Sequence, residues 1–517
     1  MNIGQLRARH DQLMPTRNTI LDRAREAALV TIPYLYPLSG TTQTSTFPTP
    51  WQSHGARCVN NLSSKLLLSQ FPPNTPFFRL VIDESTREQL GASAGDVDKG
   101  LAKIERAVMQ AVETGAMRPG LAEALRHLVV SGNVVLFLSP KLKLRVFPLH
   151  QFVQKRDPEG TLLELIIKES VSPLELPDSI RQAAQDKKRS ASGGKASTAD
   201  DVLDLYTGVQ MQPDGRYRAW QEVEGIMLPN SMHTTAADEL RFMSLRWCAI
   251  DGEDYGRGYV EQYLGDFKSL EGLQQAIVEG AAAASRVLFL VRPNSTTKME
   301  TLAKAPNGAV ESGNADDVSV VQMEKYSDFR VALEARGDLL TSLSYAFLLN
   351  SAVQRDAERV TAEEIRYMVS ELEASLGGVY ATLSQELQLP FVTILMQTLT
   401  SQGKLPQLPK GVAKPAITTG VEALGRGNDA NRMRVFFQSF AGLPDTVLQK
   451  IFARLDEKEL ISRNAAAAQI DEDGLMKSDA QMQQDMQQAL AAQMAVAGTP
   501  NAVRGMVDQS AAEGAPA

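Results

Sequence analysis

Apolar positions recur at helical spacing through much of this chain, and the first clear case lies early. Behind Pro50, residues Val59, Leu62, Leu66 and Leu67 mark the buried face of a helix over 53–68, which the Phe71-Pro72-Pro73 run ends. An extended stretch over 77–82 follows, then helical patterns over 97–112 and around 121–130. Short β-branched runs take over at 133–138, 142–147, 204–209, 217–224 and 241–250, separated by Gly, Pro and Asp turns. The first half of the chain therefore predicts an α+β arrangement.

The second half changes period. Over 266–286, Phe267, Leu270, Leu273, Ile277, Ala281 and Ala284 share one helical face, opened by an acid and closed by Arg286 as the helix dipole favours. Its alanine-rich last turns predict close packing against a neighbouring helix. Strand-like 287–291 and 318–323 then frame a Gly/Asn-rich bend, a small β insertion before a second amphipathic helix over 327–349. Thr361-Ala-Glu-Glu364 is a capping box with Val360 and Ile365 as its hydrophobic staple. Behind it, Ile365, Met368, Val369, Leu372, Leu376, Val379, Leu383 and Leu387 sustain one stripe to Pro390, where a bend or interruption is expected. Between the two long helices, 350–359 (NSAVQRDAER) is a short polar loop setting Arg355 and Arg359 against Asp356 and Glu358. Pro406, Pro409 and Pro415 mark an extended crossing, and a smaller helical segment begins near Val421. Residues 478–517, rich in Ala, Gln and Met, read as a frayed, solvated helix and tail.

Composition restricts the class. With 517 residues, 43% hydrophobic and 22% charged, the chain can build a core and has length for about three or four lobes of roughly 150 residues. Cys58 and Cys248 are the only cysteines, which predicts a reducing compartment and no disulfide framework. The opening MNIGQLRARH has no apolar segment, so no secretory signal is expected. No membrane insertion is expected either, since the longest apolar runs (134–138 and 287–291) fall far below roughly 18 residues. Acids outnumber bases 61 to 53, a net charge of -8, which argues against tight gripping of phosphates.

Searches for catalytic chemistry fail. His10, His54, His127, His150 and His233 include no pair at metal-ligand spacing, so they read as structural, and neither a metal nor a cofactor is expected. Gly194-Lys195 has Arg189 where a phosphate loop needs glycine and Ala196 after the lysine, and 186–201 reads as a polar surface loop. Gly256-Arg257-Gly258 has Glu261 in place of the third glycine of a dinucleotide fingerprint, and Asp471 to Gly474 breaks the calcium-loop pattern. Asp251, Glu253 and Asp254 could in principle hold a nuclease metal, but Gly252 and Gly256 beside them favour a structural turn. No enzymatic activity is expected.

Several long runs resemble a known family. TPWQSHGARCVNNLSSKLLLSQFPP (49–73), VVSGNVVLFL (129–138), DGEDYGRGYVEQYLGDFKSLEGLQQAIVEG (251–280), LSYAFLLNSAVQRDAERVTAEEIRYMVSELEASLGGVYATLSQELQLP (343–390) and ITTGVEALGRGND (417–429) are similar to portal, or head-to-tail connector, proteins of short-tailed, podovirus-type bacteriophages. The resemblance spans about 32–429 and departs near 186–201 and after about 431.

The resemblance implies a mainly helical α+β portal fold: a wing (1–264), first stem helix (265–286), clip (287–326), second stem helix (327–349), channel loop (350–360), long kinked wing helix and Pro-rich crossing (361–420), crown (421–477) and C-terminal tail (478–517). It implies a ring of twelve copies around double-stranded DNA, in the virion at the capsid's portal vertex after assembly in the host cytoplasm. Terminase large subunit, scaffolding protein, major capsid protein and tail adaptor or tail tube proteins are the implied partners in packaging, head assembly, tail attachment and ejection. Another ring-forming neck or tail adaptor protein is the alternative. Leu270, Leu273, Ile277, Ala281 and Ala284 become candidates for subunit packing in the stem, and Asn350, Gln354, Arg355 and Arg359 candidates for the channel loop. The two arginines fit either weak phosphate contact or salt bridges within or between loops. Twelve helices spaced about 10 Å apart enclose a circle of roughly 120 Å circumference, an opening near 28 Å once helix width is subtracted, which admits a duplex. In such a conduit the acidic balance suits DNA that must slide without sticking.

Overall fold

A computed structural model of the chain describes residues 4–38, 45–72, 77–82, 94–191, 202–284, 288–293, 297–310, 312–321, 326–349, 375–405 and 413–417, with a few single positions besides. The chain divides into two compact units, Met1–Ala423 and Leu424–Ala517; the elements below all belong to the first. The capping box at Thr361, the loop over 350–360 and the segments beyond 421 lie outside the described stretches.

Helix α1 (Leu6–Leu29) opens the unit. Its amino end is held by a carboxylate from a distant strand: Glu222, itself buried, accepts the N–H groups of Gly4 (2.7 Å) and Leu6 (3.1 Å). A negative charge there satisfies free donors and complements the helix dipole. Helix α2 (His54–Gln70) matches the sequence reading, with Cys58, Val59, Leu62 and Leu66 in the core. Strand β1 (Phe78–Ile82) precedes α3 (Ala94–Thr114) and α4 (Met117–Ser131), the last starting several residues before the apolar pattern suggested. Helix α4 ends at Gly132, in the left-handed region at φ +76°.

Strands form at each of the runs predicted over 133–138, 142–147, 204–209, 217–224 and 241–250, the third longer than expected and the second and last shorter. Two more form at 152–156 and 162–171, which the sequence pattern does not mark. Strands β2 (Asn133–Leu138) and β3 (Leu144–Pro148) flank a turn in which Leu142 takes φ +60°, so the 142–147 run loses its first residues to the turn. Strands β4 (Phe152–Arg156) and β5 (Leu162–Val171) lead to α5 (Asp178–Ala191). Over 186–191 that helix corrects the reading of 186–201 as loop, since its apolar anchors Ile180 and Ala184 lie upstream of the polar run that carries it to Ala191, while 192–201 lie outside the described residues. Strands β6 (Leu203–Met211), β7 (Tyr217–Val223), β8 (Ile226–Met227) and β9 (His233–Thr235) complete an antiparallel six-stranded sheet with path β4-β5-β6-β7-β8, β9 also pairing β7. Strand β10 (Phe242–Arg246) is half as long as the 241–250 run and pairs β2 in a separate sheet ordered β10-β2-β3.

The helical half follows: α6 (Tyr259–Gln262), α7 (Leu264–Ala284), β11 (Leu288–Val291), α8 (Met299–Lys304), β12 (Val318–Val321) and α9 (Tyr326–Ala346). Strands β11 and β12 pair antiparallel, Leu288 opposite Val321 and Val291 opposite Val318, closing the predicted β insertion. Helix α10 (375–383) runs into a π-turn at Ser384–Gln388 and on into α11 (Leu389–Ser401). The α-helical ladder is thus interrupted by the π-turn just ahead of Pro390, where a bend or interruption was expected, and the helix resumes at Leu389. Proline offers no N–H and its ring crowds the preceding turn, and the widened π-turn just before it relieves both. Strand β13 (Ala413–Ile417) then pairs β1, with Pro415 opposite Leu80.

Candidate functional site

The predicted helix pair is present as α7 and α9, packed against each other. Their apolar faces meet at one end. Phe267, Leu270, Leu343 and Phe347 are completely buried there. Phe347 meets the rings of Tyr259, Tyr263 and Phe267 edge-on at centroid distances of 5.0, 5.5 and 5.5 Å. Away from this base, no residue over 271–283 or 330–342 is fully buried. Val278, Val331 and Leu333 stand 41, 67 and 47% exposed, and Gly272 and Gly337 would have nothing within 4 Å of an added Cβ.

This geometry separates the candidate packing residues. Leu270 is sealed inside the subunit, Leu273 and Ile277 are half-buried, Ala281 is exposed, and Ala284 closes α7. The amphipathic stripe of α7 thus faces α9 at the base, so Leu270 is not available to another copy. Asn350, Gln354, Arg355 and Arg359 lie outside the described residues.

The carboxyl end of α9 is held by side chains from two other helices. The Tyr259 hydroxyl of α6 donates to Ala346 O (2.9 Å). From α2, Asn61 Nδ2 donates to Phe347 O (3.0 Å) and Leu348 O (3.1 Å), and Lys65 Nζ to Leu348 O (2.6 Å). Lys65 is buried, and Leu348 turns the chain with φ +56°. Three successive carbonyls that a helix end leaves without intrahelical partners are therefore all met. No sequence signal marks Asn61 and Lys65, which simply interleave with the buried Leu62 and Leu66; their partners are almost 300 residues away.

The remaining candidate chemistry resolves into structure. Asp254 accepts from Arg156 N (2.7 Å) and pairs with Lys155 Nζ (3.2 Å), while Glu253 pairs with Arg257 (2.7 Å). These carboxylates brace a turn, and among the described residues no cluster of His, Cys, Asp and Glu could hold a metal. Gly256 N donates to Asn133 Oδ1 (2.8 Å), and a Cβ on Gly258 would collide with the Val130 carbonyl, so these glycines permit close backbone contact. Burial pushes His127 down to about 3, with His150 and Arg126 nearby adding to the shift. His150 falls to about 4 through burial and the nearby Arg17 and Arg25. Both rings are neutral core groups. Burial raises the Cys58 thiol to about 12, so it is not a nucleophile. No helix among the described residues is long and apolar enough to cross a membrane.

Comparison with known proteins agrees with this non-catalytic picture. The family model for the bacteriophage head to tail connecting protein matches residues 4–475, reaching past the 32–429 span of the resembling runs. The chain belongs to this family. It is 40% identical over 494 residues to the portal protein of Escherichia phage T7, covering 93% of this chain and 89% of that protein. Identity to the portal protein of Enterobacteria phage T3 is 39% over 499 residues (93% and 90% covered), and to that of Enterobacteria phage SP6 31% over 507 residues (96% and 95%). The chain is a head-to-tail connector of the portal type, a structural protein and not an enzyme.

Proposed function

We propose that twelve copies of this chain form a ring at the capsid's portal vertex, through which double-stranded DNA enters during packaging and leaves during ejection. Helices α7 and α9 form the stem around the channel, β11, α8 and β12 the clip, and 350–360 the channel loop, with the long helix through 375–401 in the wing. Residues 421–477 form the crown and 478–517 the tail. In this reading the chain assembles in the host cytoplasm with scaffolding and major capsid proteins, then engages the terminase large subunit and later the tail adaptors.

The supporting observation is the exposure of the α7 and α9 pair. Each helix has 21 residues, about 32 Å at 1.5 Å per residue, yet over 271–283 and 330–342 neither buries a side chain completely. Amphipathic helices draw most of their stability from packing, so flanks that bear Val278, Val331 and Leu333 suit lateral contact with further copies. A ring is the closed form of such head-to-tail contacts. The net charge of -8 suits passage of DNA without retention along the wall.

Electron microscopy of the purified protein tests the ring directly: annular particles with a central opening are expected, and a strictly monomeric species across salt and magnesium conditions overturns it. Replacing Arg355 and Arg359 together by alanine is expected to leave rings intact and reduce packaging or retention of DNA. Loss of rings in that variant would move the two arginines to subunit contacts.

A further inference from the structure

We infer that Asn61, Lys65 and Tyr259 form a positioning clamp that fixes where and in what direction the chain leaves α9, and so anchors the channel-facing segment after Leu349 to the body of the subunit. The inference rests on the portal reading above, and the clamp itself is made only of described residues.

The end of α9 is over-determined in three ways. The Ala346, Phe347 and Leu348 carbonyls are each taken by a side chain from outside the helix, with Leu348 O receiving both Asn61 and Lys65. Helix ends ordinarily leave such carbonyls to water or to a glycine-based reverse turn. Here the turn residue is Leu348 at φ +56°, a conformation unfavourable for a branched side chain, and its cost persists only where surrounding contacts impose it. The Leu349 N–H still reaches back to Ser344 O (2.8 Å), so the chain is directed up to the last described residue. Lys65 adds a cation, 5% exposed, at the negative end of the helix dipole. A ring cluster of the buried Tyr259, Phe267 and Phe347 with the half-buried Tyr263 surrounds the same point.

The donors come from two helices that share a packing partner in the core. Asn61 and Lys65 lie one helical turn apart on α2, which packs on α4, and Tyr259 belongs to α6, which also packs on α4. A pull on the chain beyond Leu349 is therefore resisted by the core of the subunit as well as by α9. A cap that served α9 alone would need only local groups. This clamp ties the helix end to the core and makes it a fixed mount for a segment that must withstand moving DNA.

The test uses the full chain in assembling phage particles and compares Lys65→Met, Lys65→Arg and Tyr259→Phe with the parent. Lys65→Met keeps the stem's bulk and removes the charged donor; Lys65→Arg keeps a cation able to reach the carbonyl. Expected for Lys65→Met are rings in normal number by electron microscopy, amide exchange at 347–349 faster by about ten-fold or more, and a comparable loss of DNA retained in filled heads. Tyr259→Phe is expected to shift both readouts in the same direction, and Lys65→Arg to restore both. Unchanged exchange in Lys65→Met, or faster exchange with normal DNA retention, overturns the inference. Should Lys65→Met fail to fold, Asn61→Ala carries the same test while leaving the Lys65 donor in place. A parent protein that forms no rings refutes the portal reading instead, while the exchange comparison still reports on the clamp.

Discussion

The carboxylate of Glu386 grips Arg246 three times, accepting from its Nε (3.2 Å), its Nη2 (2.7 Å) and its backbone N–H (3.0 Å). Glu386 sits in the π-turn of the long helix and Arg246 at the end of β10, so this contact joins the helix to the β10-β2-β3 sheet. Arg156 of β4 lies beside it, donating to Ser244 O (2.8 Å) and Gly160 O (2.6 Å). Burial, with Arg246 close by, lowers Arg156 to about 10. Two guanidinium groups thus share a partly buried space in which Glu386 and Asp254 supply the opposing charge.

Glu386→Ala leaves Arg246 without its anion next to a second buried cation. Removing one partner of such a pair costs more than the pair contributes, and a loss of about 2–4 kcal/mol is expected, read as a lower urea midpoint at neutral pH. Glu386→Gln, which keeps part of the hydrogen bonding, is expected to fall between the two. A midpoint unchanged in both variants would remove this contact from the account of how the helix is held.

Two glycines predict opposite outcomes. Gly337 lies in the exposed middle of α9 with nothing within 4 Å of an added Cβ, so Gly337→Ala is expected to stabilise the subunit by about 0.5–1 kcal/mol, seen as a higher melting temperature. At Gly258 the new methyl would press on the Val130 carbonyl and the Ser131 backbone, and Gly258→Ala is expected to lower the melting temperature sharply or abolish soluble protein.

Acid should weaken the fold through His127 and His150. Both are held neutral when folded, at about 3 and about 4, whereas the unfolded chain takes up protons near 6.5. Below that value the unfolded state binds more protons, so stability is complete above about pH 6.5 and declines as pH falls toward 4. The loss is about 2 kcal/mol per histidine at pH 5. Urea midpoints measured from pH 7 to pH 4.5 check this, and His150→Asn should flatten the slope.

Glu222 should prove as important to α1 as any residue in that helix. It accepts from Gly4 N, Leu6 N and Trp220 Nε1 at 2.7, 3.1 and 2.8 Å in a buried setting. Glu222→Ala strands these donors, and a cost of about 3 kcal/mol or more is expected, with amide exchange rising first over the opening turn of α1.

Period and punctuation carried much of the architecture. The α2 stripe, the apolar β2 run, the α7 and α9 helices and the β pair between them were all legible, because each element's own residues state its period and its ends. Helix α1 was not, since Glu222 and the packing of Leu6 against Gly208 hold its start from 200 residues away. The first turns of α5 were missed because only Ile180, Ala184 and a few neighbours anchor an otherwise polar run.

The sequence by itself determined the family, the absence of catalytic motifs, and the succession of sheet-rich and helical halves, all properties of local residue order. Only the tertiary structure decided which flanks of α7 and α9 stay exposed, that Leu270 belongs to the subunit's own core, and that Asn61 and Lys65 hold the end of α9. Such contacts join residues hundreds of positions apart, and a side chain's partner depends on which surfaces folding brings together, a relation that no local pattern encodes.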